Sequence, residues 1–450
     1  MTQKQALRIL KTGANVFLTG QPGSGKTYTI NQYVEWLRQN GVEPAITAST
    51  GIAATHIGGV TIHSWSGIGI NDYMDDEDIA ELVKKPWIRE KIGYAKVLII
   101  DEISMLDAKT LDLVDRVCRK AKFEKDIPFG GIQVILVGDF FQLPPVSKTN
   151  QAKFVFKSEA WEKLNPKICV LHEQHRQEDA EFLEILTAMR NGKHTKKHID
   201  RLNKCVKKGS EKPITKLFTH NGDVDVLNNN ELKKIPLELK SFGMEETGVP
   251  VLCVMLKKNC LSPEVLKLKV GALVMFTRNN FEEGYVNGTL GEVIGFEKND
   301  SGHPIIETTD GRRITPGYEE WAVKSSNGKS NVAAIKQIPL RLAWAMTVHK
   351  SQGMSLDSAS IDLGKAFEYG QGYVALSRVR SLEGLHLEGL NEKALMMHPE
   401  VVEEDVKFVQ MSSYLEAFYE NEPVENLLKL EQIFLQKIRC MTGKSFHGER

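Results

Sequence analysis

The run Gly20-Gln21-Pro22-Gly23-Ser24-Gly25-Lys26-Thr27 has the spacing G-x-x-x-x-G-K-T. It follows the apolar residues Val16, Phe17 and Leu18 and precedes a helical pattern over 28–37, so a strand, a glycine-rich turn and a helix start meet at one point. Backbone N–H groups of such a turn, together with the positive end of the helix, form a cradle for phosphates. Gly23, Ser24 and Gly25 line the loop, Lys26 reaches the β and γ phosphates, and the Thr27 hydroxyl can ligate Mg²⁺. A second constellation is Asp101-Glu102, which ends the apolar run 96–100. Such a run reads as a buried parallel strand. Asp101 at its end can hold Mg²⁺ and its waters, and Glu102 can accept a proton from an attacking water. Gln142 lies just past a further strand pattern over 133–139, where an amide can sense the γ phosphate. Arg176 and Arg378 are the candidates for neutralising charge in the transition state.

These residues need a scaffold that brings several strand ends together. Strand patterns at 16–18, 44–48, 96–100 and 133–137 alternate with helical ones, and each ends in polar chemistry, which describes an α/β fold with a parallel sheet and its site at the carboxyl edge. A second α/β region opens with a helix over 181–191 and a strand over 214–218, followed by a helix over 223–234. From about Val251 short strands between Gly, Asn and Asp turns suggest a small β-barrel inserted in that region, and α/β character returns at Ile338. The expected domains are 1–178 with a small insertion at about 64–85, 179–250 with 336–390, a barrel at 251–335, and a helical tail at 391–450.

Composition sets the broad class. Across 450 residues, 41% are apolar and 26% charged, and no window approaches the ~18 apolar residues of a membrane span. The N-terminus lacks the apolar segment of a signal peptide, so a cytoplasmic or nucleoid location and no membrane partner are expected. The six cysteines contain no C-x-x-C pair and are expected to be reduced and mostly buried. Lys plus Arg equals Asp plus Glu at 58 each, so bulk charge gives no sign of a nucleic-acid partner. The charge is uneven, however: residues 71–83 hold six acids and no base, whereas 191–213 hold eight bases against two acids. A basic segment can contact phosphates or simply form a solvated helix face.

The order of segments resembles superfamily-one helicases of the five-prime-to-three-prime branch. It is most similar to the Pif (petite integration frequency) helicases, with RecD as the nearest relative. The resemblance covers 15–27, 45–54, 97–106, 128–146, 173–177, 342–356 and 370–385, and it is most specific at Phe129-Gly130-Gly131 through Pro145 and at Val348-His349-Lys350-Ser351-Gln352-Gly353. Residues 107–123 correspond to the Pif signature helix, which RecD would not carry. The resemblance implies two RecA-like domains, a wedge insertion in the first and an SH3-like barrel in the second. It implies ATP and Mg²⁺ as cofactors, with Asp101 and Thr27 on the metal, Glu102 as general base, Gln142 as γ-phosphate sensor, and Arg176 and Arg378 as fingers. Gln5 falls where the family reads adenine, with Gln3 competing, and Gly353 lies in the motif that links nucleotide to DNA. Thr50, Thr61, His63, Thr219, Asn221, Asn279, Thr347, His349 and Lys350 match positions that touch single-stranded DNA. Hydroxyls, amides and backbone N–H groups can hold phosphates without net charge. The wedge stretch is too acidic for DNA over most of its length, leaving 65–70 as its contact.

The function implied is an ATP-dependent DNA helicase that moves five-prime to three-prime on single-stranded DNA and opens duplex junctions. The family also implies activity on G-quadruplexes and RNA–DNA hybrids, and roles in DNA repair, recombination and replication. A monomer is expected, with dimers on DNA left open. The rival readings are a RecD-like subunit of a nuclease complex and a P-loop phosphotransferase that does not act on DNA.

Overall fold

The computed structural model describes residues 1–56, 59–69, 71–145, 153–174, 179–206, 214–218, 224–280, 282–299, 301–324, 331–348, 351 and 354–440. The chain forms two units. The first holds Met1–Phe140, Pro144–His175 and Glu403–Arg450, and the second holds Phe141–Leu143 and Arg176–Val402.

In the first unit, α1 (Gln3–Lys11) leads to β1 (Val16–Gly20), the phosphate-loop sequence and α2 (Lys26–Gln39). Then come β2 (Ala45–Ala48), α3 (Gly51–His56), β3 (Val60–Thr61), α4 (Ile62–Ser66), α5 (Asp76–Lys84), α6 (Pro86–Tyr94), β4 (Val97–Asp101), α7 (Ala108–Lys122), β5 (Gln133–Val137), α8 (Glu159–Leu164) and β6 (Lys167–Leu171). The strands form one parallel sheet in the order β3-β2-β4-β5-β1-β6. All five residues of β1 and of β5 are buried, the pattern of strands covered on both faces by helices. Val16, Leu18, Val97, Ile99, Ile135 and Val137 pack with Ile9, Leu10, Tyr33 and Leu37 in one core.

The Phe-Gly-Gly turn is fixed by α7. The Asp115 carboxylate, itself paired with Arg119, accepts from Phe129 N at 2.7 Å. Gly130 has φ +62°, and a Cβ there would lie 2.5 Å from the Lys122 side chain and 3.0 Å from the Cys118 carbonyl. Only glycine fits a left-handed turn pressed this closely against a helix.

The insertion expected at about 64–85 differs from expectation at its proposed contact residues. Trp65 and Ile68 are buried, so they belong to the packing of the insertion and not to a DNA-contacting surface; Ile70 lies outside the described residues. The acidic stretch folds as α5, whose Asp76 pairs with Arg116 on α7.

In the second unit, α9 (Ala180–Arg190), α10 (Lys196–Asn203), β7 (Lys216–Phe218) and α11 (Val224–Lys234) are followed by β8 (Lys240–Gly243), β9 (Glu245–Gly248), α12 (Pro250–Asn259), β10 (Val265–Leu268) and β11 (Leu273–Phe276). The chain continues through β12 (Leu290–Phe296), β13 (Pro304–Thr308), β14 (Arg313–Ile314), β15 (Glu319–Lys324), β16 (Asn331–Gln337), β17 (Leu340–Leu342), β18 (Ala345–Thr347), β19 (Ala359–Leu363), α13 (Gln371–Leu376) and β20 (Leu385–Leu390). A parallel sheet, β18-β7-β19-β20, carries the α/β part. Among the described residues, the inserted strands pair as the antiparallel sheets β14-β13-β12-β11-β17, β15-β16-β9 and β10-β8. The strand pairing begins at β8, ahead of the expected start at 251, and a helix, α12, occupies 250–259 at the start of the expected barrel. β9 has no buried residue, so it lacks the alternation that marks a strand in sequence.

The tail is divided. α14 (Pro399–Asn421) and α15 (Val424–Cys440) are helical as expected, but from Glu403 onward they belong to the first unit. Phe408 packs 5.3 Å from Phe17 of β1, Ser412 Oγ accepts from Val170 N at 2.9 Å, and Phe434 and Ile438 join the core of the first unit. No helix among the described residues is long and apolar enough to cross a membrane, and none of their His, Cys, Asp or Glu side chains form a metal-binding cluster. Cys118, Cys169, Cys205 and Cys253 are buried free thiols.

Candidate functional site

The carboxyl edge of the first sheet gathers the candidate chemistry. The loop between β1 and α2 turns through Gly23 at φ +88° and Gly25 at φ +85°, a backbone that points successive N–H groups into one concavity. A Cβ on Gly20 would lie 2.7 Å from Ser24 Oγ and 2.8 Å from the Leu171 carbonyl. Lys26 Nζ donates to the Gly20 and Gln21 carbonyls at 2.8 and 3.1 Å, which folds the ammonium into the loop. Ser24 is fully buried, and its hydroxyl has no hydrogen-bond partner. A buried hydroxyl without a partner costs ~1–3 kcal/mol unless a ligand satisfies it. With the helix N-terminus beside it, the loop fits a nucleotide phosphate. Thr27 is exposed at the start of α2.

β4 lies between β2 and β5 and delivers Asp101 to the same edge, its Cα in register with Ala48. Burial pushes the Asp101 carboxyl above the usual carboxylate range, opposed by the Glu102 N–H and by the charge of Lys26. The carboxyl group is desolvated although the residue as a whole is half-buried. Glu102 adopts φ +50° and ψ +45°, a left-handed conformation that costs a non-glycine residue ~1–2 kcal/mol. The conformation is held from two sides: Glu102 N donates to Asp101 Oδ1 at 2.8 Å, and Ser49 Oγ donates to the Glu102 carbonyl at 2.7 Å. Ser49 N also donates to the Asp101 carbonyl, at 3.1 Å. The turn after β2 is thereby bonded directly to the acidic pair.

That turn carries the first strand-binding candidates. Thr50 Oγ1 accepts from Ala53 N and Thr61 Oγ1 accepts from Ser64 N, so both cap short helices, α3 and α4. Thr61 ends β3 and is half-buried. His63, on α4, is pushed below its ordinary pKa by burial, with Asp72 opposing.

Of the two glutamines expected to compete for adenine, Gln3 faces the phosphate loop and Gln5 does not. Gln5 is consumed by the start of α1: its side chain accepts from Thr2 N at 2.7 Å in a capping box and donates to Glu420 at 2.8 Å. Gln3 Nε2 instead donates to the Ser24 carbonyl at 3.3 Å, and a Cβ on Gly25 would strike that amide at 2.0 Å. Glu173 accepts from Gln3 N at 2.9 Å, and Gln174 donates to the Gln21 side chain at 3.2 Å, closing a polar wall beside the loop. Glu173, Gln174 and Ser49 were not singled out from sequence. The Thr-x-x-Gln spacing of a capping box was present and would have excluded Gln5.

In the second unit, Gln142 is 6% exposed in the segment Phe141–Leu143. Arg378 is 1% exposed at the end of α13. Its guanidinium donates to the carbonyls of Val374, Ser351 and Met354 and to Ser377 Oγ. It therefore holds both residues that flank 352–353. Thr347 is buried at the end of β18, and Asn279 is exposed with its side-chain oxygen accepting from Asn287 N at 2.8 Å. Arg176, Thr219, Asn221, His349, Lys350 and Gly353 lie outside the described residues.

The PIF1-like helicase family profile matches residues 2–200, and that of the Pif1 2B domain matches 252–296. The chain is 42% identical to the ATP-dependent DNA helicase Pif1 of Psychrobacter sp., across 97% of its own length and 75% of that protein's. It belongs to the Pif1-like helicase family. The crystal structure of Bacteroides sp. Pif1 in complex with ADP-AlF4 is similar to this Pif1-like chain with a TM-score of 0.76 at 30% identity, covering 91% of this chain and 96% of that one. A Bacteroides Pif1 structure with ADP-AlF3 and single-stranded DNA has a TM-score of 0.58 at 31% identity, covering 90% and 96%. The Pif1-like chain spans about two thirds of the length of its Xenopus laevis and human relatives.

Proposed function

We propose that this chain is an ATP-hydrolysing DNA helicase, and the observation that carries the reading is the pair of Ser49 bonds to Asp101 and Glu102. Through them, the turn leading into Thr50 cannot shift without moving the acidic pair. Strand grip and hydrolysis then share one rigid sheet edge, which is the requirement for converting phosphate chemistry into movement.

In this reading Gln3 orients the base, Ser24 and the loop N–H groups hold the phosphates, and Lys26 exchanges its bonds to Gly20 and Gln21 for phosphate oxygens. Glu102 accepts the proton of the attacking water. Thr27 and Asp101 would hold Mg²⁺, which supplies charge neutralisation at the phosphates when bound. Gln142 is assigned to sensing the γ phosphate, and Arg176 and Arg378 to neutralising charge in the transition state. For Arg378 this means releasing bonds to the Ser351 and Met354 carbonyls, which makes its finger role a switch between backbone and phosphate. Thr50, Thr61, His63, Thr219, Asn221, Asn279, Thr347, His349 and Lys350 grip single-stranded DNA, alternation of grip makes the motion directional, and the five-prime-to-three-prime sense is carried over from the family. The substrates extend to duplex junctions, G-quadruplexes and RNA–DNA hybrids, and the working species is a monomer.

Strand displacement on duplexes with opposite overhangs tests this. The purified chain is expected to open only the duplex with a five-prime tail, and Lys26→Ala to open neither. Inactivity of the chain alone, with activity restored by a nuclease partner, would favour the RecD-like reading, and ATPase activity indifferent to oligonucleotides would favour a phosphotransferase.

A further inference from the structure

Gln142 follows β5 in sequence, yet the segment Phe141–Leu143 belongs to the second unit, so elements of that unit must hold it. Two contacts do. The guanidinium of Arg190, the last residue of α9, lies 4.0 Å from the centre of the Phe141 ring, and both residues are buried. Gly370 caps the start of α13 at φ +75°, and a Cβ there would meet the Phe141 carbonyl at 2.5 Å and the Gln142 carbonyl at 3.0 Å. The side chain and the main chain of the segment are therefore gripped separately, by α9 and by the turn into α13.

The same two helices reach Arg378. α13 packs on α9 and ends just before Arg378, whose guanidinium bonds back to the Val374 carbonyl in that helix. Asp179, the cap at the start of α9, accepts from Leu382 N at 3.0 Å, four residues beyond Arg378. α9 thus has the Phe141 ring at one end and the chain after Arg378 at the other. A buried cation is costly unless its charge is answered. The face of an aromatic ring is such an answer, and it is strongest where water is excluded. The Gln142 amide, at the end of a side chain with several torsions of its own, is aimed only if the backbone beneath it is fixed.

We infer that Arg190 is a positioning residue for Gln142: by holding the Phe141 ring against α9, it fixes the sensor amide to the body that carries Arg378. The inference rests on the assignment of Gln142 to γ-phosphate sensing under the helicase reading. Arg190 acts through Phe141 and not on the nucleotide.

The test is steady-state ATPase at saturating single-stranded DNA, beside the affinities of the same preparations for ADP and for a non-hydrolysable ATP analogue. Arg190→Met is expected to lower kcat about tenfold, short of the ~100-fold that a misplacement of ~1 Å can cost. It should weaken the analogue about fivefold and leave ADP within about twofold, because ADP lacks the phosphate that Gln142 senses. Arg190→Lys keeps a cation that can face the ring and should stay within about threefold of the parent in kcat. Phe141→Leu should match Arg190→Met, and the two together should cost no more than about twice either alone. Phe141→Leu decides the matter if Arg190→Met does not fold. On a Gln142→Ala background, Arg190→Met should bring no further loss. Parental kcat in both Arg190→Met and Phe141→Leu overturns the inference. So does an equal weakening of ADP and analogue, equal loss in the Met and Lys variants, or a further tenfold loss on top of Gln142→Ala. Parental kcat in Gln142→Ala would overturn the sensor assignment as well, whereas an impaired Gln142→Ala with parental Arg190→Met and Phe141→Leu overturns the positioning role alone.

Discussion

Removing the Ser49 hydroxyl should separate hydrolysis from strand binding. Ser49 is 8% exposed, and its Oγ bonds the Glu102 carbonyl at 2.7 Å while the backbone N–H on the same residue bonds Asp101. Ser49→Ala keeps the backbone bond and removes one of the bonds to the Glu102 carbonyl, which still accepts from Met105 N at 3.2 Å, a loss of ~0.5–1.5 kcal/mol. Glu102 is the residue least able to absorb it, because its left-handed conformation is already unfavourable. If that whole loss is felt when Glu102 must be in place for proton transfer, kcat falls roughly twofold to twelvefold. KM for ATP should change little, since the phosphate loop and Gln3 are untouched. The assay is steady-state ATPase with and without a saturating oligonucleotide, beside a thermal melt. The variant should fold, bind DNA and show a smaller ratio of stimulated to basal rate. A Ser49→Ala protein with parental kcat and parental stimulation would refute the coupling argument.

The same geometry sets further expectations. Gln3→Ala should raise KM for ATP and reduce discrimination against other bases, whereas Gln5→Ala should leave KM alone and lower stability by ~0.5–1.5 kcal/mol through loss of the bond from Thr2 N, the Thr2 cap itself remaining; nucleotide competition and melting separate the two. Gly130→Ala should destabilise the fold by more than ~1 kcal/mol, from the left-handed turn alone, with the Lys122 clash added; urea unfolding reads it directly. The Lys122 ammonium, which donates to the Gly93 and Ala95 carbonyls, is brought down to about 8 by burial. Below that pH the charged group is penalised in the fold. Between there and its ordinary value of 10.5 the folded chain has shed a proton that the unfolded chain keeps, so stability rises with pH. The stability of the parent relative to Lys122→Met should therefore improve from about pH 8 to about pH 10.5 in urea melts, the window between the two values; a constant difference would contradict it.

Much of the catalytic edge was legible because its signals are local. The spacing around Lys26 and the apolar run ending at Asp101 each specify a strand end and the turn beyond it, and parallel pairing then places both on one edge. Gln3 and Gln5 show where such reading fails. They are two residues apart, and which one faces the loop is decided by the turn at which α1 begins, a matter settled by Thr2 as its cap. Trp65 was read as a contact because 65–70 lacks the acids of the rest of the stretch, but its burial depends on how α4 packs against α6 and α7, which the linear pattern does not show. The tail was legible as helix, yet nothing in residues 403–440 names the β1 sheet as the surface they cover. β9 escaped because a strand exposed along its whole length lacks alternation, β8 because Phe242 is its one buried residue, and their pairing partners lie far along the chain.

Stimulation of ATP hydrolysis by single-stranded DNA tests the central claim most directly, on the unaltered chain and in one experiment. A strand seated against the turn that Ser49 bonds to Glu102 should raise the turnover number by at least about tenfold, the equivalent of ~1.4 kcal/mol at the transition state. Hydrolysis at the same rate with and without the strand would contradict a shared edge for the two functions.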